Sequence, residues 1–242
     1  MISFSPLRIL VAVCAALVSS TVSAAPLIDQ TGNLLANGSM ESGSFTAVTG
    51  HGVVSAADNW RQWSNSGTTL TSELITEAEM FLMTGNTLID GNAALMITTN
   101  GAGDGGFTFD TFSHPGWDTQ GDVTFSGWVY VITGQMGFMV GANSPGHFDV
   151  AATTGTGQWE FVSISKAGGP TAADTNNEPL LYSIGGPATF IVDSVWLNQG
   201  LNSAHPGASV PTPASNGLMI LGLLGLVLLG IGSRRVRLRE AG

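Results

Sequence analysis

The chain has 242 residues, a formal net charge of −10 and one cysteine. Of its 17 acidic residues, only Glu240 lies outside residues 25–210, a span that holds just two basic residues, Arg61 and Lys166. So acidic a surface excludes nucleic acid as a partner, and a single cysteine excludes an internal disulfide. The remaining interpretations of this charge are a solubilising surface or a partner that is neutral or cationic.

Residues 1–24 have the pattern of a secretory signal peptide. Arg8 supplies the positive charge, residues 9–18 form an apolar run, and small residues precede a cleavage point after Ala24. The alternative is a retained N-terminal anchor, for which the apolar run is short. The only cysteine, Cys14, lies in the segment that cleavage would remove. The exported protein would therefore have no thiol chemistry.

Residues 26–200 are predicted to form one all-β domain. The segment lacks long helical periodicity and has short β-prone runs between Gly, Thr, Ser and Asn clusters, which favours an antiparallel sandwich or barrel. Residues 122–132 alternate clearly, with Val123 and Phe125 on one face and Trp128 and Tyr130 on the other. Residues 71–84 predict either a helical turn or a loop with a strand. The clearest predicted strands are 93–99, 122–132, 135–141, 158–165, 180–184 and 189–197.

The C-terminal 42 residues predict a linker, a membrane helix and a basic tail. Residues 201–213 are rich in Pro, Ser and Gly, as linkers are. Residues 214–233 carry no charge, and a helix of this length spans about 30 Å, the thickness of a bilayer core. A basic tail, residues 234–242, follows and is expected to stay cytoplasmic, which places the β domain outside. The tail's four arginines are Arg234, Arg235, Arg237 and Arg239.

The order of Pro motif, apolar helix and arginine cluster resembles the PEP-CTERM sorting signal. That signal usually reads Val-Pro-Glu-Pro, and here Val210, Pro211, Thr212 and Pro213 occupy the motif, with Thr in place of Glu. The resemblance implies recognition by an exosortase-type processing enzyme. It also implies transient anchoring in the inner membrane, then delivery to the surface or extracellular matrix of a Gram-negative bacterium. The alternative is a plain single-span anchor.

Three segments resemble the CenC-type carbohydrate-binding modules. They are Asn-Leu-Leu-Ala-Asn-Gly-Ser-Met-Glu-Ser-Gly at 33–43, Gly-Gln-Trp-Glu-Phe at 157–161 and Phe-Ile-Val-Asp-Ser-Val-Trp-Leu at 190–197. Met40 stands where the family usually has Phe. The resemblance implies a galactose-binding-like jelly roll that binds polysaccharide. It also implies a structural Ca²⁺ held by Glu41 and Asp193, which suits the hard oxygen ligands that Ca²⁺ prefers. The alternative is that both are ordinary turn carboxylates.

Exposed tryptophans are the candidate ligand-binding residues, because flat aromatic faces stack on sugar rings. Trp60, Trp63 and Trp117 lie in loop-like surroundings and are predicted to form such a platform. The alternative is that they are buried anchors of loops. The sequence has no recognisable nucleophile motif or metal-binding histidine spacing, so no enzyme is predicted. Two further hypotheses stay open: a structural or adhesive envelope protein without specific sugar binding, and a glycan hydrolase.

Overall fold

The computed structural model describes residues 25–53, 55–64, 67–101, 105–109, 121–141, 148–167 and 179–209. Several predicted features lie outside these residues. They are the signal peptide 1–24, Trp117, the motif Val210–Pro213, the helix 214–233 and the four arginines of the tail. Within the part of the chain that the structure describes, no helix has the length and apolarity needed to cross a membrane.

The described residues fold into two antiparallel sheets, which confirms the prediction of an antiparallel β-sandwich. One sheet has six strands in the order β1-β3-β4-β11-β6-β9, and the other has five in the order β2-β5-β10-β7-β8. The elements are β1 (Val48–Thr49), β2 (Trp60–Ser64), β3 (Thr69–Thr76), α1 (Glu77–Thr84), β4 (Ala93–Asn100), β5 (Gly105–Phe109), β6 (Val123–Thr133), β7 (Met136–Gly141), β8 (Phe148–Ala152), β9 (Trp159–Lys166), β10 (Leu180–Ser183), β11 (Ala188–Gln199) and a 3₁₀ turn (Pro206–Ser209).

The eight strands from β4 to β11 follow jelly-roll order. They form β4-β11-β6-β9 in the six-stranded sheet and β5-β10-β7-β8 in the five-stranded sheet, the arrangement of two interlocked Greek keys. The earlier strands extend the edges, β1 and β3 beside β4, and β2 beside β5. The segment 71–84 contains both the strand and the helix that were predicted as alternatives. A strand runs to Thr76, whose side chain then caps α1 in a reciprocal pair with Glu79.

The core lies between the sheets, and alternation along β6 sets its two faces. Val123, Phe125, Val129 and Val131 point into the main core, as the sequence predicts. The opposite face of β6 also becomes buried, because Trp128 and Tyr130 belong to a second cluster with residues of α1 and the loop after it. The outer face of the six-stranded sheet is therefore covered around Trp128 and Tyr130, where its aromatic residues serve packing.

A bulge in β11 opens the ladder of the central strand. Asp193 pairs with Trp128 and Val195 with Gly127, which leaves Ser194 unpaired at a φ of 49°. Gly127 is required opposite the bulge, since a Cβ there would lie 2.7 Å from the Val195 side chain. Beyond the bulge, the N-terminal segment 33–38 replaces β4 along β11.

Asn33 makes two of the hydrogen bonds between this segment and β11. Its Nδ2 donates to the Val195 carbonyl at 2.8 Å, and its Oδ1 accepts from the Leu197 N–H at 3.0 Å. The Leu34 N–H donates to the Leu197 carbonyl at 2.9 Å. Asn33, the first residue of the family-like motif at 33–43, therefore fixes the N-terminal segment to the last strand.

We expect Asn33→Ala to lower the free energy of unfolding by about 2–4 kcal/mol, because it leaves buried peptide groups of Val195 and Leu197 without partners. Chemical denaturation at neutral pH measures this loss. Asn202→Ala is the matched control, since Asn202 is exposed and surface changes usually alter stability by no more than about 0.5 kcal/mol. Equal losses of unfolding free energy in the two variants would contradict this structural role of Asn33.

Candidate functional site

An aromatic pair, Trp63 and Tyr182, lies on the outer face of the five-stranded sheet. Trp60, Gln62 and Leu181 are fully buried on the inner face, so strand alternation points Trp63 and Tyr182 outward. Both are half-buried, and their ring centroids lie 6.2 Å apart with the planes tilted by 38°. The two rings thus lie side by side on an outward face.

Two glycines lie beside the aromatic pair. Gly106 of β5 pairs with Trp63 on one side and Tyr182 on the other, and Gly137 of β7 pairs with Tyr182 on its far side. A Cβ at Gly106 would lie 1.8 Å from the Leu181 carbonyl oxygen, and one at Gly137 would lie 3.0 Å from Tyr182 Cε1. The Tyr182 ring thus uses space that a side chain at 137 would need.

The predicted platform needs a correction at Trp60. Its side chain is 0% exposed and packs in the main core, so it offers no face to a ligand. Trp60 and Trp63 are three residues apart in one strand, and alternation sends them to opposite faces. Tyr182 was missed by the sequence analysis, although it lies in the predicted strand 180–184 beside the inward-facing Leu181.

The structure brings Glu41 and Asp193 to opposite ends of one turn, residues 89–93. Asp193 Oδ2 accepts hydrogen bonds from two successive backbone N–H groups at 2.8 and 3.0 Å. Glu41 Oε1 accepts from two further N–H groups of the turn at 2.8 and 3.1 Å. The four donors are Ile89, Asp90, Asn92 and Ala93. The two predicted metal ligands therefore order the same loop.

Asp90 is a third carboxylate at this position, and Glu41, Asp90 and Asp193 together are called the acidic cluster below. Burial raises the pKa of Asp90 to about 6, and the charge of Glu41 adds to the rise. Burial also raises the pKa of Asp193 well above its usual range, with the charges of Asp90 and Glu41 contributing. Asp193 Oδ1 is buried and has no hydrogen-bond partner among the described residues.

The acidic cluster fits a hard cation in its chemistry. Carboxylate oxygens are the hard ligands that Ca²⁺ prefers, and because it takes six to eight oxygens, backbone carbonyls would have to complete the shell. In the described ranges, however, no group of three or more Asp, Glu, His or Cys side chains has the spacing of a formed metal centre. Glu41, Asp90 and Asp193 are the residues that would hold Ca²⁺, and the ion would supply the charge that offsets theirs.

His205 and Ser194 lie together near this cluster, but they do not form a nucleophile and base. His205 Nδ1 accepts from the Gly207 N–H at 2.8 Å, so the proton of the neutral imidazole is on Nε2, which donates to the Ser194 carbonyl at 2.7 Å. Nε2 therefore has no lone pair to accept the Ser194 hydroxyl proton, although the two atoms are 3.1 Å apart. Burial lowers the pKa of His205.

The role of His205 is to dock the segment after β11. His205 falls in the predicted linker that begins at residue 201, whereas its imidazole is buried against the rings of Phe161 and Trp196, at centroid distances of 5.3 and 5.7 Å. A Cβ added at Gly207 would lie 2.8 Å from Ile28 Cδ1. The chain therefore stays on the domain surface as far as the 3₁₀ turn.

Comparison with known proteins finds similar structures but no family. No family model and no curated protein matches the chain. A family 61 carbohydrate-binding module in complex with β-1,4-galactotriose is 13% identical, with a TM-score of 0.44, covering 69% of this chain and 99% of its own. The family 11 module of the cellulase Lic26A-Cel5E from Clostridium thermocellum is 16% identical, with a TM-score of 0.39, covering 61% and 91%.

Binding modules are not the only similar structures. A Stig cyclase from Fischerella sp. is 8% identical, with a TM-score of 0.44, covering 75% of this chain and 99% of its own. With TM-scores below 0.5, these likenesses assign neither a family nor a ligand.

We expect acid to weaken the docking of His205. Unfolded His binds a proton below about pH 6.5, whereas the buried ring resists protonation. This contribution to stability is therefore present above pH 6.5 and is lost as the pH falls toward the lowered folded pKa. His205→Phe keeps an aromatic ring but does not titrate. As the pH is lowered from about 7 to about 5, the free energy of unfolding of the wild type should decrease relative to that of this variant. The decrease should be at most about 1.4 kcal/mol per pH unit. Chemical denaturation of both proteins across this pH range measures the difference in unfolding free energy. A difference that stays constant with pH would contradict the prediction.

Proposed function

We propose that this chain is an exported, non-catalytic module that binds a neutral polysaccharide on the outer face of its five-stranded sheet. The observation that carries the proposal is the aromatic pair. Trp63 and Tyr182 lie side by side on an outward face with their centroids 6.2 Å apart. Adjacent rings of this kind stack on the apolar faces of successive sugar residues, while polar groups around them bind the hydroxyls.

The charge of the domain favours a neutral ligand. Arg61 and Lys166 are the only basic residues between residues 25 and 210, against 16 acidic ones, so an anionic polysaccharide would meet repulsion. Rigid β-strands hold both rings in place before a ligand arrives, which lowers the entropic cost of binding. These features support a binding surface.

The proposed location comes from the two ends of the sequence. A cleavable signal at 1–24 would export the chain, and the segment from Val210 to the arginine cluster would be sorted by an exosortase-type enzyme. Residues 214–233 would anchor it in the inner membrane until then. The module would finally be held at the cell surface or in the extracellular matrix, where polysaccharide is available to it.

We expect Trp63→Ala and Tyr182→Ala each to weaken polysaccharide binding roughly tenfold, because each removes a stacking surface worth about 1.4 kcal/mol. Affinity electrophoresis in gels containing β-1,4-galactan, mixed-linkage β-glucan, xylan or dextran measures the change. Phe45→Ala is the matched control, since Phe45 is an exposed aromatic residue, 56% accessible, outside the five-stranded sheet.

Retention of wild-type affinity in both variants would overturn the aromatic pair as the binding surface. Failure of the wild type to bind any polysaccharide in the panel would count against the binding function itself. It would favour the structural or adhesive role that the sequence left open.

We also propose that the acidic cluster binds a structural Ca²⁺. Asp193 is fully buried, and its Oδ1 is without a partner among the described residues, while Asp90 and Glu41 add negative charge beside it. A buried carboxylate of this kind either takes up a proton or is offset by a cation. The turn 89–93, which two of the carboxylates already order, would become rigid.

We expect Ca²⁺ to stabilise the wild type by about 2.7 kcal/mol when it is present at a hundred times its dissociation constant. Asp193→Asn should abolish this response. In EDTA, the same variant should be more stable than the wild type, because it removes a buried charge that has no counter-ion. Thermal unfolding with Ca²⁺, with Mg²⁺ and with EDTA measures both effects.

Glu73→Gln is the control for this experiment, because Glu73 lies on β3, outside the cluster, and its variant should respond to Ca²⁺ as the wild type does. Two results would refute the metal site. One is a wild type whose unfolding is unchanged by Ca²⁺, and the other is a response that survives in Asp193→Asn.

A further inference from the structure

A polar pocket opens at one end of the five-stranded sheet. Its volume is about 340 Å³, at the lower end of the range of ~300–1,000 Å³ typical of small-molecule sites. It lies between the turn after β6 and the loop after β8. The residues that line it are Gly134, Gln135, Thr153, Thr154, Gly155 and Thr156. All six are uncharged, and four carry a hydroxyl or an amide.

Strand register places this pocket next to the aromatic pair. Tyr182 pairs with Gly137, and Gly137 pairs with Ala152, in one row across the sheet. The ladder continues past this row, since the Ile184 N–H donates to the Gln135 carbonyl at 2.9 Å. By alternation, Gln135 and Thr154 continue the outward face, two residues or roughly 7 Å further along their strands.

Hydrogen bonds fix the pocket wall before a ligand arrives. The Glu160 carboxylate accepts from both the backbone N–H and the hydroxyl of Thr154, at 2.9 to 3.2 Å. Gln135 Nε2 donates to the Thr153 carbonyl at 3.0 Å, which occupies one N–H of its amide. The Gly157 N–H donates to the Val131 carbonyl at 2.8 Å. A wall held in this way is preorganised for binding.

We propose that this pocket is a second subsite, which binds one neutral sugar residue of the same chain that stacks on Trp63 and Tyr182. The inference rests on the proposed function and extends it. Hydroxyls and an amide offer the mixed donors and acceptors that sugar hydroxyls need. The Glu160 carboxylate behind the wall disfavours a uronic acid at this position. The aromatic pair supplies stacking, and the pocket supplies the polar contacts.

Oligosaccharides of increasing length test the subsite. The probes are the cello-, xylo-, manno- and β-1,4-galacto-oligosaccharide series from monomer to hexamer, titrated calorimetrically into the folded protein. For a series that binds, affinity should rise with length until the ligand reaches from the aromatic pair into the pocket. Thr156→Ala and the isosteric Gln135→Met should each lower the affinity for the longest member by roughly tenfold, the cost of one to two hydrogen bonds.

The same two variants should bind the shortest member with wild-type affinity, whereas Trp63→Ala should weaken every length. Thr49→Ala is the control, because Thr49 is an exposed threonine on β1 of the other sheet. Unfolding of each variant is measured in parallel to show that it folds.

The outcomes separate the two proposals. If Trp63→Ala loses affinity but Thr156→Ala and Gln135→Met keep it at every length, the subsite is wrong and the aromatic pair stands. If the pocket variants lose affinity and Trp63→Ala does not, the pocket stands without the aromatic pair. If no series binds the wild type, both proposals are overturned.

Discussion

The bulge in β11 is the constraint on which the rest of the structure depends. It takes the central strand of the six-stranded sheet out of register at Ser194, and the exposed peptide groups must then find partners elsewhere. The N-terminal segment supplies them through Asn33 and through the Gly38 carbonyl, which accepts from the Val195 N–H at 2.7 Å. The C-terminal segment supplies another through His205. One irregularity thus binds both ends of the domain to its centre.

The same bulge places a carboxylate where it is costly. Asp193 directs its Oδ2 to the turn 89–93 and leaves Oδ1 buried beside the charges of Asp90 and Glu41. Packing alone would favour a neutral side chain here, because a buried ion is stable only with a counter-charge. The hydrogen bonds that Asp193 accepts from two N–H groups offset part of the cost of burying its charge. A proton or a cation must offset the remainder. The acidic cluster therefore makes the stability of the fold depend on pH or on a bound ion.

Local pattern in the sequence was enough to predict the sandwich, since alternation along residues 122–132 correctly assigns the inward face of β6. The covered outer face was not predictable, because burial of Trp128 depends on α1 and on segments distant in the chain. Site prediction failed at Trp60 because its surroundings suggested a loop, and the spacing of three from Trp63 has meaning only once a strand is recognised. Asp90 was not among the predicted metal ligands, which were Glu41 and Asp193. Its burial arises from contacts with Ile28, 62 residues away, which no local pattern contains.

The two outer faces of the sandwich have separate tasks. Around Trp128 and Tyr130, the outer face of the six-stranded sheet is buried under α1 and the terminal segments, and its aromatic residues and acidic cluster hold the fold together. On the five-stranded sheet, the aromatic pair is half-buried beside Gly106 and Gly137. The main core lies between them, so a change of charge in the acidic cluster reaches the aromatic pair only through packed apolar layers. The proposed Ca²⁺ binding and the proposed polysaccharide binding should therefore be separable in this domain, because the first would act on its stability and the second on Trp63 and Tyr182.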